Sequence, residues 1–348
     1  MLVILATVAV SQIVAGQTRD SDVGNETREL REVREIDAQV ERLMRAGDVI
    51  EATKLAEQAI QLVQRGSARG SLDASVLYLR LARLYRIQGR LTQAIPPCKK
   101  ILEILEESNN GRSLDAAFVK CYLGELYRQL GKLSDAEQQH SQSLAIREQL
   151  LLPNHPDIAE SLNNLGLVYC GMSQFDKAEP MYVRALAIRM ESEEAIHPTT
   201  GTIANNLAGL YFERSEYPEA ERLFLLALSI CEKSLPQNHP EIGDTLSNLA
   251  SVYRAQGRYD IANPMFERAL AICKQSLPSD HIVIARILNN QAICLSEQHR
   301  YGEARSSYER ALAIQEKLLP PDHLDIATSL SNIGQTYRAL GDVATAQN

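Results

Sequence analysis

Residues 246–262 read LSNLASVYRAQGRYDIA. Leu246, Leu249, Ala250 and Tyr253 fall at the spacing of one helical face, Gly257 interrupts it, and Ala262 opens the segment that follows. The tyrosine comes round every 42 residues, at Tyr85, Tyr127, Tyr169, Tyr211 and Tyr253, is replaced once by Leu295, and returns at Tyr337. An alanine keeps step with it at Ala52, Ala94, Ala136, Ala178, Ala220, Ala262, Ala304 and Ala346. A fixed period of this length specifies a stacked array of one supersecondary unit rather than a domain with a single core.

The unit from Asp157 to Pro198 shows what is stacked. His155-Pro156 before Asp157 starts a helix, with proline in the first turn, where its missing N–H costs nothing, and an acid that complements the helix dipole. Leu162, Leu165, Gly166 and Tyr169 make its apolar stripe, and residues 171–174 break it. Asp176 with Glu179, repeated as Ser134 with Glu137, has capping-box spacing and marks the start of a second helix. That helix carries Ala178, Tyr182, Ala185, Leu186 and Ile188 inward, so the unit is a helical hairpin and the fold class is all-α. One position of the first helix reads Ala82, Gly124, Gly166, Ala208, Ala250, Ala292 and Gly334. Mid-helix glycine costs about 1 kcal/mol relative to alanine, so glycine there needs a packing reason, and close approach of the partner helix supplies it. Leucines 102, 144, 186, 228, 270 and 312 and isoleucines 104, 146, 188, 230, 272 and 314 line the facing side of the second helix.

These residues carry a resemblance. The order of leucine, small residue, tyrosine, turn glycine and alanine, from Leu246 through Ala250, Tyr253 and Gly257 to Ala262, is similar to that of the tetratricopeptide repeat. The 42-residue period and the joint Asn238-His239-Pro240-Glu241 resemble the subclass found in kinesin light chains and many bacterial scaffold proteins. The resemblance implies a right-handed α-solenoid of stacked hairpins that binds protein segments and has no catalytic centre. It is strong over 72–348 and weak over 31–71, where Leu43 replaces tyrosine but Gly47 and Ala52 keep register. Seven whole units are expected, with an eighth that stops at Asn348 before its second helix is complete, so either the chain is truncated or its last hydrophobic face is partly open.

The rest of the sequence bounds the partners. A net charge of -8 argues against a nucleic-acid-binding surface, and 45% hydrophobic with 23% charged residues is ordinary for a soluble chain. Six cysteines show neither a CxxC pair nor metal-ligand spacing. Cys231 and Cys273 sit one repeat apart, on equivalent helices roughly 10 Å or more from each other, beyond the about 7 Å between Cα atoms that a disulfide tolerates. Free, mostly buried thiols favour the reducing cytoplasm. Against that, residues 1–16 hold an apolar run from Leu2 to Val10, too short to span a bilayer, with small residues Ala15 and Gly16 where a signal peptidase could cut. Residues 17–30 form a polar linker.

Function is sought on the second face of the first helix, where Glu160, Asn163, Asn164, Leu167 and Cys170 point away from the leucine–tyrosine stripe. Asparagine recurs there at Asn164, Asn206, Asn248, Asn290 and Asn332, with neighbours Asn163, Asn205 and Asn289. Asparagine is a poor helix former, but its amide donates and accepts at once, which suits an extended peptide backbone. In kinesin light chains the equivalent asparagines hold the main chain of a bound peptide, so the resemblance points the same way. The alternative is that these amides bond across to the adjacent repeat and stiffen the stack. A further column reads Arg86, Arg128, Cys170, Phe212, Arg254, Ser296 and Arg338. Arg128, Arg254 and Arg338 could favour an acidic peptide, or be paired with neighbours such as Glu125.

Histidines recur at His155, His197, His239, His281 and His323; one per repeat is too few to share a metal ion, and they read as turn residues before each first helix. A GxxxxGK(S/T) phosphate loop, a GxSxG elbow and an HExxH pair are all lacking from the sequence, and no cofactor is expected. The leading reading is therefore a non-enzymatic scaffold or adaptor binding an extended peptide. A kinesin light chain-type cargo adaptor is one alternative, although Leu30, Val33, Ile36 and Val40 make only a short heptad-like stripe. The repeat portion of a larger nucleotide-dependent regulator is another.

Overall fold

A computed structural model of the chain describes residues 28–65, 72–192 and 195–342, and the segment at residues 1–16 with most of the linker lies outside them. The described residues form fifteen helices: α1 Arg28–Ala46, α2 Val49–Arg65, α3 Leu72–Ile87, α4 Leu91–Glu107, α5 Leu114–Gln129, α6 Leu133–Leu150, α7 Pro156–Gly171, α8 Phe175–Glu191, α9 Pro198–Glu213, α10 Tyr217–Ser234, α11 Pro240–Ala255, α12 Tyr259–Ser276, α13 Ile282–Glu297, α14 Tyr301–Leu318 and α15 Leu324–Ala339. None of them is long and apolar enough to cross a membrane. The chain divides into two compact units, Met1–Gln174 and Phe175–Asn348. The first contains the hairpins α1–α2, α3–α4 and α5–α6 followed by α7; the second contains α8, the hairpins α9–α10, α11–α12 and α13–α14, and α15. Consecutive helices pack within each unit, the solenoid arrangement of hairpins that the period implies.

Each hairpin turns on one residue of the 42-residue grid. Gly47, Gly89, Gly131, Gly257 and Gly341 hold positive φ there, as do Ser173, Ser215 and His299. A left-handed residue at this point lets the chain bond back on the helix it has just left. The next amide reaches the carbonyl of the tyrosine column, at 2.8 Å in Arg90 to Tyr85, Glu216 to Tyr211 and Arg258 to Tyr253.

The other joint is built by the histidines. In α7, α9, α11, α13 and α15 the residue before the helix is His155, His197, His239, His281 or His323, whose Nδ1 accepts from the backbone N–H two residues on at 3.2–3.3 Å. An imidazole acceptor thereby satisfies one of the orphan donors of the helix start.

The expected capping boxes are not formed. Helix α6 begins at Leu133 with Lys132 as its cap and without a side-chain capping bond, so Ser134 lies inside the helix. Helix α8 begins at Phe175, and Asp176 is likewise inside it. The carboxylates are drawn elsewhere: Glu137 accepts from the Tyr169 hydroxyl at 3.1 Å, Glu179 from that of Tyr211 at 2.8 Å, and Asp176 from Arg214 at 2.6 Å.

The core follows the columns. Ala52, Ala94, Ala136, Ala178, Ala220, Ala262 and Ala304 are fully buried. Close helix approach explains the small residues: a Cβ built on Gly124 would lie 2.7 Å from the ring of His140 on α6. Gly201 and Gly243 face Cys231 and Cys273 in the same way, with Sγ at 2.9 and 2.6 Å from a built Cβ. In α15, Leu330 is 51% exposed, whereas its equivalents Leu246 and Leu288 are 1% exposed.

Candidate functional site

In the unit Phe175–Asn348, the asparagine column lies on α9, α11, α13 and α15, at half-buried positions 206, 248, 290 and 332. The amides bond from one first helix to another. Asn248 Nδ2 donates to Asn205 Oδ1 at 3.1 Å, and Asn290 Nδ2 donates to Ser247 Oγ at 3.3 Å. Asn289 Nδ2 donates forward to Ser329 Oγ at 2.9 Å. In the unit Met1–Gln174, Asn164 Nδ2 donates to Cys121 Sγ at 3.2 Å, and Asn163 is buried beside it in α7. The bonds of Asn164, Asn248 and Asn290 all span 43 residues, so the amides tie neighbouring repeats together as the alternative reading anticipated. They do not exhaust their capacity in doing so. An amide has two N–H groups and a carbonyl oxygen with two lone pairs, and each of these bonds uses one group on each partner.

Two of the four arginines in the column are neutralised from within. Arg128 forms a two-armed pair with Glu125, Nε and Nη2 each at 2.8 Å, and Arg254 is paired with Glu297. Glu125 is held below the ordinary carboxylate range: burial alone would raise it, but bonding to Arg128 outweighs that effect. Arg338 is exposed on α15, and Phe212 packs its ring against Tyr217 with centroids 5.9 Å apart.

Glutamates on the second helices organise the tyrosines, in one column at Glu137, Glu179 and Glu221 and four residues further along the grid at Glu57 and Glu309. Tyr85 donates to Glu57 at 2.8 Å and Tyr337 to Glu309 at 3.1 Å, while Tyr253 bonds Glu221, in addition to the Tyr169 and Tyr211 bonds described above. Every acceptor lies on the second helix of the preceding hairpin. Glu137, Glu179 and Glu221 stand 42 residues apart, and the next member is Asn263. That change falls where Leu295 replaces tyrosine, and there Asn263 exchanges amide bonds with Gln298 at 3.0 and 3.2 Å. Tyrosine and glutamate are lost together here, whereas Ile95 and Arg305 replace the acid opposite tyrosines that remain, Tyr127 and Tyr337.

The cysteines are free, and all but half-buried Cys170 are buried. Burial pushes Cys98 and Cys121 up to about 12 and Cys231 and Cys273 up to about 11, so these thiols are poor nucleophiles. Among the described residues no group of His, Cys, Asp or Glu could hold a metal ion.

The tetratricopeptide repeat family model matches residues 72–149, 115–191, 199–275 and 283–348. The chain belongs to the tetratricopeptide repeat family. Among solved structures it is similar to a variant of a putative kinesin light chain with nearly identical TPR-like repeats from Podosopora anserina, at 25% identity and TM-score 0.50 over 59% of this chain and 96% of that one. A tetratricopeptide repeat protein from Parabacteroides merdae matches at 18% identity and TM-score 0.62, covering 88% of this chain and 99% of its own. The apo quorum sensor NprR from B. thuringiensis matches at 12% identity and TM-score 0.68, covering 99% of this chain and 92% of its own. No curated protein matches the chain. These repeats are of the kinesin light chain-like kind.

Proposed function

We propose that this tetratricopeptide repeat protein is a non-enzymatic scaffold that holds an extended segment of another protein along the first-helix face of its repeats. The observation that carries the reading is the asparagine ladder. Asn248 and Asn290 each spend one N–H on the neighbouring repeat, which fixes the amide, and keep a carbonyl oxygen and a second N–H to offer. Pre-positioned donors and acceptors at repeat spacing suit a peptide main chain, whose groups are unpaired in the extended state. The likeness to a putative kinesin light chain supports the same class of role. Arg128 and Arg254 already have acids, so neither adds a preference for acidic segments, whereas Arg338 is exposed. Buried, high-pKa thiols favour a cytoplasmic setting.

The test is selection of a displayed random-peptide library on the full chain, followed by affinity measurement for the selected peptides. Asn332 donates no side-chain bond within the described residues, so Asn332→Ala separates recognition from stiffening. The expected result is weaker peptide binding by N332A and N290A, with the melting temperature lowered only in N290A. Unchanged affinity in both variants would leave the ladder a purely internal brace.

A further inference from the structure

Five buried or half-buried arginines in this protein are matched by acids. Arg80 pairs with Asp37 and, at 2.9 Å, with Glu41; Arg128 pairs with Glu125; Arg147 with Glu160 at 3.2 Å; Arg214 with Asp176 and Glu179 at 2.6 Å; and Arg254 with Glu297. Two arginines on α3 break the rule. Arg83 and Arg86 are half-buried, one turn apart, and have no carboxylate in ion-pair range among the described residues. The column explains the difference: Arg128 has its acid three residues earlier at Glu125, and the equivalent of Glu125 in α3 is Arg83 itself. Charge that cancels in the next repeat adds up in this one.

The surroundings leave a further donor unspent. Tyr122 of α5 stands in the asparagine column, its buried hydroxyl is directed at Arg86, and Arg86 Nε has no hydrogen-bond partner. The Arg86 guanidinium lies over the Tyr122 ring, 5.3 Å from its centroid. Burial pulls Arg83 below its ordinary pKa, Tyr122 opposes that shift, and like-charged Arg80 and Arg86 add to it. Burial also pushes the Tyr122 phenol up to about 12, so at neutral pH it is a donor rather than a counter-charge. Two arginines one turn apart without an acid, one of them over an aromatic ring, match an oxyanion with two or more accepting oxygens.

We propose that Arg83 and Arg86, supported by Tyr122, form an anion site in the first unit that takes a carboxylate or phosphate side chain of a bound peptide. This site rests on the peptide-scaffold reading for its occupant but not for its affinity toward the anion, and the test keeps the two apart.

The first arm titrates inorganic phosphate, and separately acetate, into the full chain carrying 15N-arginine, and follows the Nε–Hε resonances assigned with Arg83→Lys and Arg86→Lys. Saturable shifts confined to Arg83 and Arg86 are expected, and their absence with both anions overturns the proposal. The second arm compares library-selected acidic peptides with versions in which the acidic residue is replaced by serine or phosphoserine. Binding should fall on the order of 10- to 100-fold in the Arg83→Gln/Arg86→Gln double variant for the carboxylate or phosphorylated forms and hardly change for the serine form. Tighter binding of phosphoserine than of glutamate assigns the site to phosphorylated segments, and the reverse order to acidic ones. An equal loss for all three forms would overturn the site. Resonance shifts with no selected peptide would instead retain the site and discard the peptide reading.

Discussion

Ser173, Ser215 and His299 occupy a backbone conformation that five glycines hold elsewhere on the same grid, at φ of 58°, 61° and 61°. A side chain in the left-handed region meets the following carbonyl at a cost of roughly 1–2 kcal/mol, a cost glycine avoids in part, since it loses more freedom on folding. Ser215→Gly should therefore stabilise the second unit by up to about 1 kcal/mol, read as a higher urea midpoint. An unchanged midpoint would mean that the serine conformation carries little strain. His140 is strained differently. It is fully buried against Gly124 and neither ring nitrogen has a partner, so burial drives its pKa from 6.5 down to about 4. Between those values the unfolded chain binds a proton that the folded chain does not, so stability falls as pH drops from about 6.5 towards 4, by about 3 kcal/mol in total. Phe224 and Phe266 hold the equivalent position in later repeats, and His140→Phe should remove that acid-sensitive component from the pH dependence of unfolding. Retention of the full acid loss in the variant would assign it to other groups. The turn position was legible from Gly47 and Gly257, whereas the partnerless imidazole could be seen only once α5 and α6 had been packed.

Helix starts illustrate where pattern and physics part. Histidine before the first helices α7, α9, α11, α13 and α15 read as a turn residue, and it proves to cap the helix through Nδ1, as in the 3.3 Å bond from Glu241 N–H to His239. His239→Ala should cost about 1 kcal/mol, seen as faster hydrogen exchange in the first turn of α11, and His239→Ser should restore most of it. Equal exchange in all three proteins would show that the cap contributes nothing. The serine and acid spacings at the second helices looked like capping boxes, but the glutamates serve tyrosines one hairpin away. Capping boxes are local and visible in a short window, whereas the tyrosine–glutamate ties need two helices in register, and only the 42-residue grid hints at them.

At the scale of the molecule, a repeat array has stability that is approximately a sum of intrinsic repeat terms and nearest-neighbour terms, so one weak joint shows as local opening rather than global loss. The joint between α12 and the hairpin α13–α14 concentrates departures. Leu295 lacks the tyrosine hydroxyl, Asn263 stands where glutamate would accept it, and His299 carries the left-handed turn. The sequence pointed to this unit through the gap in its tyrosine column. What it did not disclose is the Asn263–Gln298 exchange that partly fills the gap, since that pairing follows from side chains meeting across α12 and α13. Hydrogen exchange should thus find α13 less protected than α11 within the same unit. The double substitution Leu295→Tyr and Asn263→Glu rebuilds the tie seen between Tyr211 and Glu179, and Gln298 can still donate to the new carboxylate, as Gln256 does to Glu221 at 3.0 Å. Leu295→Tyr alone adds a phenol without its usual acceptor, and Asn263→Glu alone adds an acid without its tyrosine. The two changes together should exceed the sum of the singles by about 1 kcal/mol in a double-mutant cycle and slow exchange in α13. Additive effects, or α13 already as protected as α11, would mean that the amide exchange replaces the tyrosine tie in full.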